Sequence, residues 1–454
     1  MQEAVSLWIA RIGAPAFRRI WRYDRALRRK LTPAGWMVLG AGVAAAVFGF
    51  NTREALIYQL FGLAVGLIAI AAAASLRLKL DVTAARELPR VATAGVPFEY
   101  TLSLRNAASR DCGALVVEDA LAVPRPDPRA FAAYKVSEDR SRNLFDRLVG
   151  YPRWIAYMRN RIGATIEPAL LAGVPARAAA TVRLRCTPLR RGVLEFEAVR
   201  FARVEPLGLM KAGARRALPA TLLVMPRLHP VAALHLPGTR RLQPGGIAFA
   251  GRVGDAEEFV SLRDYRAGDS PRRIHWKAWA RTGRLVVKEY QDEFFVRHAL
   301  VLDTFGNGSD ECFEAAVSLA ASLVMMPRGN ESLLDLMFVE ERAYTLTQGR
   351  GLGAAGELLR VLAAVAATPG GDFAPLADAV ALGAGRMSGT ICVLLAWDEP
   401  RRRMVAGLRA RGIPVRVWVV TDEAGTLDPG PLASDPGSLR RVDPRNLAAE
   451  LMRP

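Results

Sequence analysis

Residues 252–293 read RVGDAEEFVSLRDYRAGDSPRRIHWKAWARTGRLVVKEYQDE, and the rest of the chain is placed around this stretch. Alternation over Glu258–Tyr265 puts Phe259, Ser261, Arg263 and Tyr265 on one face of a strand. Gly268-Asp269 reads as a turn. Ser270-Pro271 reads as a helix start, a hydroxyl at the N-cap and proline at the first helical position; the helix runs to about Ala280 and stops at Gly283. Leu285–Tyr290 alternates again. The stretch therefore predicts strand, turn, short helix and strand, with Trp276 and Trp279 packing the helix down.

Nine basic residues in this stretch stand against eight acidic ones. A surface built for phosphates carries an uncompensated positive excess. Near-neutrality fits an internal network instead, because an arginine fork engages carboxylates and carbonyls together. A second reading is a polar-ligand or acid–base site in which Asp264, Asp269 and His275 converge among the arginines. On a helix His275 would share a face with Trp279, and simple packing explains it equally.

Arg263, Tyr265, Gly268, Asp269, Arg272, Ile274, Trp276 and Ala280-Arg281, followed by Leu285 and Lys288-Glu289, form a pattern that resembles the signature of a bacterial family catalogued as domain of unknown function 58. The resemblance implies a membrane-anchored protein with a von Willebrand factor A-like region, often encoded beside a MoxR-type AAA+ ATPase. No nucleophile–base pair, nucleotide-binding glycine loop or metal cluster stands out in the sequence, which favours a non-enzymatic scaffold or adaptor; by the resemblance its partner would be that ATPase, in assembly or maturation of a protein complex. Arg263, Asp264, Tyr265, Gly268, Asp269, Arg272, Ile274, Trp276 and Arg281 would then be structural or docking residues. A second stretch, Arg190-Arg191-Gly192 followed by Glu205-Pro206-Leu207-Gly208, also resembles the family pattern, with Glu205 and Leu207 where Asp and Phe are typical.

Toward the N-terminus, Ala34–Phe50 is seventeen residues without a charge and Ala55–Leu76 is twenty-two. With Asn51-Thr52-Arg53-Glu54 between them they predict a two-helix transmembrane hairpin over 34–76, in which Gly62 and Gly66 could bring the helices close. The alternative is a buried soluble hairpin. Residues 1–33 carry eight basic residues against Glu3 and Asp24. Ala4–Lys30 reads as an interfacial amphipathic segment broken near Pro15, without the cleavage site of a signal peptide. Basic flanks on both sides, including Arg77, Lys79 and Arg86, predict two spans of an inner membrane with both termini and the bulk of the chain cytoplasmic. They also predict contact with anionic lipid.

Residues 78–226 alternate in short runs, among them 97–106, 114–121 and 192–202, the pattern of an all-β immunoglobulin-like sandwich. An insertion at about 124–168 sets Phe131, Tyr134, Phe145, Tyr151, Trp154 and Tyr157 among nine basic residues. That mixture suits a membrane surface or a partner, with single-stranded nucleic acid as the rival. The arginine-rich stretches 125–162 and 183–216 add to the formal charge of +18.

Beyond the signature unit, taken as 227–297, residues 298–454 alternate strands and helices and predict a doubly wound α/β domain, von Willebrand A-like by the resemblance. Ligands of such sheets gather at the carboxyl ends of strands, here Asp303, Asp398 and Asp422. A magnesium-binding A domain uses Asp-x-Ser-x-Ser; this chain has Asp303-Thr304-Phe305-Gly306-Asn307. Asn307 could ligate, and Phe305 cannot. No metal or cofactor is expected, with Asp303, Asn307 and Asp398 the residual candidates. Arg401-Arg402-Arg403 reads as a solvated helix face. Cys112, Cys186, Cys312 and Cys392 show no metal-ligand spacing with the four histidines and suit a reducing compartment.

Overall fold

The computed structural model describes residues 2–48, 55–77, 80–134, 150–232, 259–271, 274–290, 296–306, 309–326, 332–340, 343–348, 352–368 and 370–452. The chain divides between Arg227 and Leu228 into two units.

The first unit opens with α1 (Gln2–Lys30), which carries Pro15 inside it. The expected break at Pro15 is absent. Proline removes one backbone donor, and packing around the site outweighs that loss: Ala14 is buried with Phe131, Trp154, Tyr157 and Met158, and Phe17 and Trp21 pack against the same cluster. α2 (Pro33–Phe48) and α3 (Ala55–Arg77) follow and pack against each other. Among the described residues Ile57–Arg77 is long and apolar enough to cross a membrane. α2 has sixteen residues, about 24 Å of helix against about 30 Å of hydrocarbon. The close approach between the two helices is at Gly42, where a Cβ would lie 3.1 Å from that of Ala64; Cβ atoms on Gly62 and Gly66 would meet nothing.

Strands β1 (Val82–Glu87), β2 (Val91–Thr93), β3 (Phe98–Asn106) and β4 (Leu115–Leu121) come next. Helices α4 (Pro128–Ala133) and α5 (Tyr151–Ile162) interrupt them, and β5 (Ala164–Ile166), β6 (Ala169–Leu171), β7 (Ala179–Pro188), β8 (Gly192–Val204) and β9 (Lys211–Met225) complete the set. They form two sheets, β1-β3-β7-β5 and β2-β9-β8-β4-β6. One apolar core draws on both, with Leu102, Leu104 and Leu184 from one and Leu115, Phe196 and Phe201 from the other. Burial alternates along β3, as period two requires.

The insertion corrects an expectation. Phe131, Trp154 and Tyr157 are buried against α1, so they form no stacking platform for nucleic acid and no membrane-facing stripe. Phe131 and Trp154 meet edge to face at 5.2 Å, and Arg153 donates to the carbonyls of Phe131, Ala132 and Tyr134. Aromatic–arginine interleaving looks alike in sequence whether it faces solvent or a neighbouring helix. Phe145 lies outside the described residues.

The second unit contains β10 (Phe259–Asp264), α6 (Trp276–Thr282) and β11 (Val286–Tyr290), then an α/β part. The latter comprises β12 (Val296–Leu302), α7 (Asp310–Met325), β13 (Ser332–Val339), β14 (Ala343–Gln348), α8 (Leu352–Ala364), α9 (Ala374–Gly383), β15 (Gly389–Leu394), α10 (Glu399–Ala410), β16 (Val415–Val420), β17 (Leu439–Val442) and α11 (Leu447–Met452). The sheet order is β14-β13-β12-β15-β16-β17. All neighbours are parallel except the edge pair β13–β14. Strand order reverses at β12, which makes the carboxyl ends of β12 and β15 the topological switch point. The four cysteines are buried and unpaired. Burial pushes the Cys186 and Cys392 thiols up to about 12, so both stay protonated and unreactive at neutral pH.

Candidate functional site

β10 and β11 pair antiparallel, Arg263 opposite Val287, with an irregularity between Phe259 and Ser261. Arg263 forks onto Asp269 at 2.7 and 2.8 Å, and the Arg266 amide donates to the same carboxylate at 2.8 Å. These bonds, the Arg263 pair first, hold the Asp269 carboxyl down to about 2. Gly268 sits at φ +110°, a region open to glycine. The expected Arg–Asp network is thus present at Arg263 and Asp269. Asp264 and Arg281 are exposed, the Tyr265 amide donates to Leu285, and Arg272 lies outside the described residues.

The helix does not start at Ser270-Pro271. Ile274 is buried and bridges to Val287, and the helix begins only after His275. His275 is the N-cap: its Nδ1 accepts from the Ala278 amide at 2.9 Å. Asp269 is engaged by Arg263 and His275 by its own helix, so the residues of the acid–base reading are satisfied locally rather than gathered around one ligand. Trp276 and Trp279 do not pack the helix down. They are 56% and 44% exposed and meet edge to face at 5.9 Å. Two strands and a seven-residue helix bury, among the described residues of this unit, Ile274 and Val287, too little to cover two indoles.

At the switch point Asp303 follows β12 and is fully buried. It accepts from the amides of Phe305 (2.9 Å) and Leu395 (3.0 Å) and from Arg401 Nε at 2.7 Å. Arg401 also donates to Asp398 at 2.5 Å and to the Phe305 carbonyl at 2.9 Å, and lies 4.5 Å over the Phe373 ring. Asp398 caps α10. The structure therefore brings Asp303 and Asp398 together through a guanidinium. Arg401 is 4% exposed, which corrects the solvated reading of the arginine run; Arg403 is exposed and pairs with Glu399. The residues do not fit magnesium, since the Asp303 oxygens are taken by Arg401 and two amides and Phe305 offers no side-chain oxygen. Asn307 lies outside the described residues.

A third arrangement fixes the apolar helices to the sandwich, and sequence analysis gave it no role. Thr32 caps α2, accepting from the Gly35 amide at 3.0 Å, and donates to the carbonyls of Gly208 and Leu209. A Cβ on Gly35 would come within 2.1 Å of the Leu209 oxygen. Those carbonyls belong to the β8–β9 turn, which Glu205 closes by accepting from the amides of Leu207 (2.5 Å), Leu209 (2.7 Å) and Met210 (3.1 Å). Desolvation works against the charged form of Glu205, and the three amides outweigh it, holding the carboxyl below its usual range. A depressed pKa means the stabilisation is present above the unfolded carboxyl pKa of about 4.3 and is lost as pH falls through the lower folded value. Glu205→Ala, which leaves these amides unmet, is expected to cost about 1–3 kcal/mol. It should open residues 205–210 to limited proteolysis at neutral pH, as strong acid does in the parent; unchanged cleavage would refute the clamp.

Residues 261–393 match the family model described as protein of unknown function DUF58. The similarity to that family is confined to this region. The DUF58 match runs from β10 to β15 and includes the Arg263–Asp269 pair and Asp303. The family's description carries no activity. A curated relative, an uncharacterized protein of Bacillus subtilis, is 28% identical over 163 residues, 35% of this chain; the chain spans 39% of that relative's length. Solved structures overlay at low scores. Proximal thread matrix protein 1 from the mussel byssus gives a TM-score of 0.28 at 12% identity, covering 35% of this chain and 46% of that one. An aerotolerance-related membrane protein from Bacteroides fragilis gives 0.24 at 13% identity, covering 34% of this chain and 98% of that one.

Proposed function

We propose that this protein is a membrane-attached, non-enzymatic adaptor that captures a protein partner through the Trp276–Trp279 face. The partner is the one the family resemblance implies, a MoxR-type AAA+ ATPase. In this reading α2 and α3 both enter the membrane as a hairpin, the remaining chain is cytoplasmic, the two-sheet part is immunoglobulin-like and the α/β part von Willebrand A-like. The observation that carries the proposal is the exposed indole pair, on a helix that also exposes Lys277 and Arg281. Such a surface offers two aromatic anchors, the residue type enriched at interface hot spots.

The test is co-purification of the detergent-solubilised chain with the MoxR-type ATPase of its own host, with and without ATP. Trp276→Ser with Trp279→Ser is expected to weaken capture by about 2 kcal/mol, roughly thirtyfold, with an unchanged unfolding midpoint. Equal capture by parent and variant would remove this face from the interface. No capture by the parent would overturn the adaptor reading.

A further inference from the structure

Strand alternation on β4 turns Asp119 inward and Glu118 outward, onto a cavity of about 320 Å³ bounded by the β4–β8 surface, α1 and α5. Glu118 pairs in register with Arg200 of β8, and α1 adds Arg25 and Arg29, four residues apart and so on one helix face. Glu118 lies 3.6 Å from Arg200 and 3.7 Å from Arg29. The other carboxylate lining the cavity, Asp119, is committed to Arg86 and Tyr100. Three partly buried guanidiniums therefore draw on Glu118, with a weaker pull on Arg200 from Glu197, itself paired with Arg215, and a fourth, Arg159, lines the cavity exposed. Burial draws the pKa of Arg25, Arg29 and Arg200 below the ordinary arginine value; Glu118 opposes this, and each of the three is lowered further by another arginine. Arginine stays ionised regardless, so the cavity holds a desolvated positive excess.

We propose that this cavity binds a phosphate-bearing anion, the headgroup of an anionic phospholipid or a soluble phosphate ester. Guanidinium forks match phosphate oxygens in geometry as well as charge. Trp21 and Ile155 line the same space and give the ligand's organic part an apolar wall. The site is also close in sequence to the apolar helices: Arg29 and Arg25 precede Pro33, where α2 begins, by four and eight residues. The inference stands apart from partner capture, which its test does not measure.

The full chain in detergent is titrated with inorganic phosphate and with glycerol 3-phosphate, the unfolding midpoint giving the affinity. In parallel, nanodiscs of phosphatidylcholine with or without phosphatidylglycerol are used, and lipid retained by the protein is read by native mass spectrometry. Arg25→Gln with Arg29→Gln, and separately Arg200→Gln, are expected to weaken binding at least tenfold. Arg18→Gln with Arg22→Gln changes net charge equally on exposed positions and should leave it unchanged. Glu118→Gln removes the competing carboxylate and should tighten binding, a direction misfolding does not produce. Saturable binding of glycerol 3-phosphate identifies a soluble ester; retention of phosphatidylglycerol alone identifies the headgroup. Absence of both, equal weakening by the two double variants, or weaker binding by Glu118→Gln would overturn the proposal.

Discussion

Arg401→Met is expected to lower the stability of the second unit by about 3–5 kcal/mol, the usual cost of leaving one partner of a buried ion pair uncompensated. Asp303 would keep its two amide donors and lose the formal charge that opposes its own, while Asp398 would lose its 2.5 Å partner. Phe373 would lose the guanidinium above its ring. Asp303→Asn should be comparably damaging, because it strands the guanidinium instead. The double variant should recover a good part of the loss, since removing both charges of a buried pair costs far less than removing one. The measurement is denaturant unfolding, with proteolytic mapping assigning the transition to residues 296–452. Single variants within 1 kcal/mol of the parent would refute the role given to Arg401. Because the counter-ion is a side chain, chelating divalent cations should leave the parent's midpoint where it is.

What could be read in advance follows a physical line. The period-two pattern of residues 97–106 is local, and the structure has it as β3, one residue shorter. Arg401 differs from Arg402 and Arg403 in nothing local. It turns inward because the first turn of α10 lies against the switch point, which strand order alone determines. The Glu205 turn was visible as a family-like pattern, but its grip on Thr32 spans 176 residues of sequence and needs both partners placed. Trp276 and Trp279 misled in the opposite sense. Indoles are usually buried, yet burial needs neighbours, and a two-stranded unit supplies few. β17 and α11 are short, with too few residues to show a period.

Asp119→Asn in the first unit is expected to cost about 3–5 kcal/mol for the same reason, and its consequences reach further. Asp119 accepts from Arg86 at 2.6 and 2.8 Å, from the Tyr100 hydroxyl at 2.7 Å and from the Ala120 amide at 3.0 Å. Arg86 in turn donates to the Leu218 carbonyl at 2.6 Å and lies 4.7 Å over Phe196. β1 and β3 belong to one sheet, β4, β8 and β9 to the other, so this network ties the two sheets through their shared core. Burial first, then the Asp119 charge, raises the Tyr100 phenol above its ordinary 10.0. A raised acid pKa gives stability that is fully present below the unfolded value and is lost as pH rises above it. Ionisation of the phenol should therefore add to the loss from the buried thiols above about pH 10, and Tyr100→Phe should remove that added part of the alkaline limb after a loss of about 1–3 kcal/mol at neutral pH. The neighbouring residue of β4 provides an internal control. Glu118 faces the arginine cavity, not the core, so Glu118→Gln should leave the alkaline limb intact while Asp119→Asn makes it shallower, burial of the phenol remaining. If both substitutions changed the limb alike, the division of β4 into an inward charge that fastens the sheets and an outward charge that opposes a phosphate would be wrong.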